Sequence, residues 1–293
     1  LEGLWTRYED PRIPLGEIAS MPDKHVTRRM QEIYSAPIRP ELIKERIQQI
    51  RGAGVTVAAS LSPQRTAELH KAVIDAGVDI FVIRGTTVSA EHVAVADEAL
   101  NLKKFIYELD VPVIVGGVAT TTGALHLMRA GAAGVLVGFG GGATHTTRSV
   151  LGIEVPMASA VAEVAAARRE YLDESGGRYV HVIADGSIGK SGDIAKAIAC
   201  GADAVMMGSA LAKGAESPGL GWHWGSEAYH PELPRGARMN VGTVGTLAEV
   251  LTGPSHTADG SMNLFGALRR AMATCGYSDL KSFQRVDVVL HGR

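Results

Sequence analysis

His145, Thr146, Thr147 and Arg148 stand three residues beyond Gly142, at the end of a run that holds Gly138, Gly140, Gly141 and Gly142. Glycines packed this closely leave bare backbone N–H groups free to approach an anion. The polar row after them supplies an imidazole, two hydroxyls and a guanidinium. His145 has three readings: a general acid or base working near neutrality, a contact to a phosphate or a base, or an ordinary loop histidine. Two further stretches share the glycine character, Asp185-Gly186-Ser187 and Gly208-Ser209. With 138–143 they make three candidate anion nests, and together they favour a bound phosphate over three plain turns. The Asp185 carboxylate can accept two hydrogen bonds from a ribose diol, or can serve as a helix cap or one half of a salt bridge. Gly221-Trp222-His223-Trp224-Gly225 can stack on a flat base or cover apolar surface.

Other chemistries are disfavoured. HExxH, CxxC and EF-hand spacings are absent, so side chains offer no metal site. With 29 basic and 31 acidic residues the formal net charge is −2, which argues against nucleic acid or a membrane surface as partner, since both call for a basic face. Cys200 and Cys275 lie in apolar helical contexts and are expected as buried free thiols, in keeping with a reducing cytoplasm. No apolar run approaches the ~20 residues of a membrane span.

The elements that must position these residues follow one repeated grammar. In "IRGAGVTVAASLS" (50–62), "VIDAGVDIFVIRG" (73–85), "LMRAGAAGVLVGFG" (127–140) and "AIACGADAVMMGS" (197–209) a helix end meets a glycine and then a branched apolar run. Such runs read as strands buried on both faces. With "VPVIVGGVA" and "VHVIADGS" the expected strands are 55–61, 79–84, 111–116, 133–138, 180–184 and 203–208. Amphipathic helices are expected over 40–52, 62–77, 191–201 and 263–276. Strict alternation predicts an α/β fold on a parallel sheet, each strand ending in small or polar residues where such folds place function. Residues 210–245 read as one long loop. The opening Leu1-Glu2-Gly3-Leu4 lacks Met and any element signal. Six strands allow either an open sheet or an eight-stranded barrel; the opening favours the barrel, and the expectation is a single (β/α)8 TIM barrel domain over 1–293 with its first two β/α units before Leu1.

The blocks "AGAAGVLVGFGGGATHTTRSVLGIEVPMASAVAEVA", "VIADGSIGKSGDIAKAIACGADAVMMGS" and "GALRRAMATCGY" resemble the IMP dehydrogenase/GMP reductase family, in order and over nearly the whole chain. The resemblance implies a (β/α)8 barrel that binds IMP or a related purine nucleoside monophosphate, uses NAD or NADP, and forms a homotetramer. It also implies a monovalent cation on loop carbonyls. Residues 5–37 are too few for the CBS pair found in full-length IMP dehydrogenases, so the match is to a shorter branch.

In that family a loop cysteine in a GxGxGSxCTTR pattern attacks C2 of the purine, and hydride passes to a nicotinamide. Here Gly138, Gly140 and Gly142 keep the glycines, Ala143 stands at the phosphate-contacting serine, and His145 stands at the cysteine. Thr146, Thr147 and Arg148 are kept. Asp185 matches the ribose aspartate, Gly186 and Ser187 the glycines after it, and Gly208 and Ser209 the phosphate pair. On the nicotinamide side the family's aspartate is replaced by Arg84-Gly85 and its asparagine by Gly117, next to Gly116. The resemblance thus keeps the nucleotide side and alters the hydride side. Turnover without the thiolate leaves His145 or Thr147 to activate water; without turnover the chain is a nucleotide-binding paralogue with a regulatory role.

Overall fold

Six short strands carry the apolar runs: β1 (Ala58–Leu61), β2 (Ile80–Arg84), β3 (Val113–Val118), β4 (Gly134–Val137), β5 (His181–Asp185) and β6 (Ala204–Met206). The structure, a computed structural model, describes residues 1–85, 100–139 and 141–289. All six expected strands form, each within three residues of its expected ends. They lie side by side in chain order, every pair parallel. Phe81, Ile83, Val115, Val135, Val137 and Val182 are buried, as the unbroken apolar runs require. One contiguous core runs from Ile43 to Phe283.

Thirteen helices are described. The first four are α1 (Arg12–Ser20), α2 (Asp23–Tyr34), α3 (Pro40–Gly52) and α4 (Pro63–Asp75). Next come α5 (Leu102–Tyr107), α6 (Thr121–Arg129), α7 (Thr147–Leu151), α8 (Met157–Glu174) and α9 (Ser191–Ala199). The last are α10 (Ser209–Ala212), α11 (Leu247–Thr252), α12 (Leu264–Thr274) and α13 (Leu280–Phe283). Neighbours in the outer layer pack in sequence, α3 on α4, α6 on α8, α8 on α9 and α9 on α12. Glycines at φ between 72° and 110° follow α3, α4, α6 and α9, at Gly54, Gly77, Gly131 and Gly201. A left-handed residue there ends each helix and turns the chain into the next strand.

Two expectations are corrected. Residues 210–245 are not one featureless loop: α10, β7 (Trp222–His223), a 3-10 turn at Ser226–Ala228 and β8 (Met239–Asn240) lie within them, and β7 pairs antiparallel with β8. The thiols are free but not both buried: Cys275 is exposed and Cys200 half-buried, each at a helix C-cap where one side faces outward. Burial still pushes the Cys200 thiol above its ordinary pKa.

Helices α1 and α2 build a second, smaller core with the strap 222–238. Leu4, Leu15, Ile18, Val26, Met30 and Ile33 are buried against Ala228. Tyr34 stacks on Tyr229 at 3.5 Å between ring centres, and the Trp224 indole donates to the Tyr34 hydroxyl at 2.9 Å. The Arg238 guanidinium donates to the carbonyls at the end of α1, Ile18, Ala19 and Met21, and lies 4.0 Å over the Trp222 ring. The strap is thereby pinned across the carboxyl ends of the strands.

Candidate functional site

The carboxyl ends of the six strands converge on a cleft of about 750 Å³. It gathers most of the residues singled out in the sequence: Arg84, Gly85 and Gly117 on one side, and Gly142, Ala143, His145 and Thr147 from the loop after β4. Asp185, Gly186 and Ser187 follow β5, and Gly208 and Ser209 follow β6. Gly140 lies outside the described residues. Gly116 does not line the cleft. A Cβ there would collide with the Leu136 backbone and side chain, so this glycine lets β3 approach β4 and does not serve a ligand.

The glycine loops lean on each other. A Cβ on Gly141 would collide with the Ser187 side chain, and one on Gly138 with the Asp185 carbonyl. Gly138, Gly142 and Gly186 all have positive φ, and Ser187 is held at φ 55°, a region that costs a side-chain residue on the order of 1 kcal/mol or more. Ser187 thus keeps a glycine's backbone without being glycine. Lys190 and Lys213 also line the cleft. Both were within reach of the sequence: each follows the small residues at a strand end by three to five positions.

Asp185 does not stand free. The Arg84 Nε donates to its Oδ2 at 2.8 Å and Nη2 to its Oδ1 at 3.2 Å. Burial works against the Arg84 charge, but Asp185, with help from Glu227, holds the guanidinium above its ordinary pKa. Of the readings open for Asp185, the ion pair is the one the folded chain adopts. Arg84 has donors only, two of which go to Asp185, so it offers a ribose diol no acceptor of the kind a carboxylate would supply.

His145 is paired too. Its Nδ1 lies 3.0 Å from Oε1 of Glu227, and the Glu227 side chain is only 7% exposed. Burial alone would raise the Glu227 pKa; the hydrogen bond to His145, its own backbone N–H and the nearby Arg235 charge outweigh burial and hold it below the ordinary carboxylate value. Arg235 sits 3.8 Å from the same oxygen and donates from Nε to Thr146 Oγ1 at 3.1 Å. On the far side His223 Nδ1 meets Ser209 Oγ at 3.1 Å, and burial together with the His145 charge lowers the His223 pKa. The Thr147 hydroxyl is buried and has no partner among the described residues.

Glu227 escaped the sequence reading. It comes from the strap, and no spacing ties it to a histidine 82 positions earlier. Of the tryptophans of 221–225, Trp224 packs on the small core and also lines the cleft beside His223, and Trp222 lies under Arg238. Among the described residues no group of three or more His, Cys, Asp or Glu is placed to hold a metal ion, and no helix is long and apolar enough to cross a membrane.

Comparison with known proteins adds an independent line. A family model described as the IMP dehydrogenase / GMP reductase domain matches residues 25–230. An uncharacterized oxidoreductase of Mycolicibacterium smegmatis is 52% identical over 99% of this chain and 79% of its own length. The inosine-5'-monophosphate dehydrogenase of Methanocaldococcus jannaschii is 36% identical over 78% of this chain, but this chain spans only 49% of that protein. Among solved structures, an IMP dehydrogenase/GMP reductase-like protein from Corynebacterium glutamicum superposes with a TM-score of 0.89 at 51% identity, covering 98% of this chain and 76% of that one.

Proposed function

The chain belongs to the IMP dehydrogenase / GMP reductase family, and from that premise we propose that its cleft binds IMP or a close purine nucleoside monophosphate. The observation that carries this reading is that three positive-φ or glycine turns line one cleft together with Lys190 and Lys213, a combination of backbone and cationic donors that suits a phosphate. The reaction class that goes with this ligand in the family is NAD(P)-linked oxidoreduction at the purine C2. We propose a homotetramer as the working assembly, and the two free thiols suit a reducing compartment such as the cytoplasm.

Residue roles follow from position. The turns at 141–143, 186–187 and 208–209 hold the phosphate, and Asp185 meets the ribose once Arg84 is displaced. His145 occupies the place of the family nucleophile without a thiolate, so the covalent step on sulfur has no counterpart here. On the nicotinamide side Arg84 stands where the family carries an aspartate, so a ribose there would find a donor in place of an acceptor.

A second reading, a nucleotide-binding paralogue that does not turn over, is favoured by two observations: His145 is bonded to Glu227, and Arg84 occupies Asp185. One experiment separates them. IMP is titrated into the protein by calorimetry, and absorbance of reduced cofactor is followed with IMP plus NAD or NADP. Binding with turnover supports the oxidoreductase; binding alone supports the paralogue. No binding of IMP at millimolar concentration rejects both.

A further inference from the structure

We infer that Glu227 is a positioning residue that fixes His145 in one tautomer and makes its Nε2 the proton acceptor of the cleft. The inference deepens the reading above, since it concerns the same cleft, but it rests on contacts present without any ligand.

A carboxylate can only accept. Glu227 is held ionised, because its pKa lies below the ordinary carboxylate value. With Oε1 at 3.0 Å from Nδ1, the proton between them belongs to the imidazole. In the neutral ring the lone pair is then confined to Nε2, and that nitrogen has no hydrogen bond to a described residue. This is the arrangement by which a buried carboxylate prepares a histidine as a base. When Nε2 takes a proton from a ligand hydroxyl or a water, the cation formed faces the carboxylate across the ring, and the charge is balanced without movement.

The surroundings keep Glu227 in place. Its carboxylate is shared with Arg235 at 3.8 Å, and Arg235 N donates to the Glu227 carbonyl at 3.0 Å. Gly225 leaves the space it fills: a Cβ on Gly225 would lie 2.6 Å from Glu227 Oε2 and 3.6 Å from Thr144 Oγ1. The charged and titratable groups around the pair are Arg235, Arg84, His223 and Tyr229. None of them is a carboxylate, and none is hydrogen-bonded to His145 Nδ1, whose partner among the described residues is Glu227.

The test is made on the ligand-free protein, so it stays separate from whether IMP binds. Histidines are labelled with nitrogen-15, and the His145 ring signals, assigned with His145→Gln, are read at pH 7.5. For the neutral form of the ring, the expected proton position is Nδ1. Glu227→Gln, whose side chain keeps the shape, should fold with an unchanged circular dichroism spectrum and lose that fixed tautomer. Acylation of His145 by diethylpyrocarbonate, measured by peptide mass spectrometry, should fall about tenfold in the variant, because an Nε2–H ring offers no exposed lone pair. Glu227→Asp should restore part of both signals. A wild-type neutral ring protonated at Nε2 would overturn the assignment, as would an unchanged tautomer in a folded Glu227→Gln.

Discussion

At the scale of single residues, the two charged pairs in the cleft make opposite predictions for a nucleotide. The Arg84–Asp185 pair is partly open to water, with Arg84 39% exposed, so its net worth is about 1 kcal/mol or less. Arg84→Met should therefore strengthen IMP binding by no more than about fivefold, as Asp185 is released to the ribose. Asp185→Asn should weaken it at least about tenfold, given roughly 1.5–3 kcal/mol for a hydrogen bond to a charged acceptor. Calorimetry reads both. Weaker binding by Arg84→Met would mean that the guanidinium itself touches the ligand. Gly225→Ala tests the other pair. Its extended backbone, φ −109°, tolerates alanine, but the new methyl displaces the Glu227 carboxylate. The protein should stay folded while the His145 tautomer is lost, and a preserved nitrogen-15 signature would contradict the contact. The sequence disclosed His145, Asp185 and the glycines because their chemistry is written in local residue types. It hid the partners, Arg84 for Asp185 and Glu227 for His145, because both arrive across the fold, 101 and 82 positions away.

At the scale of elements, the strands were legible to within three residues because burial on both faces demands unbroken apolar runs, and glycine with positive φ punctuates each helix end. What stayed out of sight is how β5 and β6 are tied at their amino ends. Asp203 accepts from Arg168 at 2.6 Å, from the Tyr179 hydroxyl at 2.6 Å, from Val182 N at 2.9 Å and from Gln284 at 3.0 Å. It thus joins β5, β6, α8 and the turn after α13. Burial alone would raise its pKa, but these bonds and the Arg168 charge outweigh burial and hold it below the ordinary value. Asp203→Asn leaves Arg168 buried beside a neutral group and should cost about 3 kcal/mol at neutral pH, read by urea denaturation. A depressed carboxylate stabilises the fold above its unfolded pKa, and that contribution disappears as pH falls through the folded value. The gap between wild type and Asp203→Asn should therefore be full at pH 6 and should narrow once pH drops below about 3.9. A gap that does not change with pH would assign the loss to packing alone.

At the scale of the whole molecule, Val150, Leu151 and Ile153 stand 53%, 44% and 49% exposed beside the mouth of the cleft. In the proposed homotetramer this apolar edge is covered by a neighbouring subunit. Light scattering coupled to gel filtration should report four copies at micromolar concentration, and Leu151→Glu should lower that number; a stable monomer in both would reject the assembly. The pinning of the strap has a different consequence, one of time. Contacts between 18–34 and 222–238 close loops of 190 to 220 residues, and pairings so distant in the chain form slowly. The strands, each paired with its immediate successor, can gain order well before the strap is seated. On dilution from urea, amide protection in β2 through β5 should precede the appearance of the His145 tautomer signal. The barrel would then pass through an interval in which it is folded but its base is not yet armed.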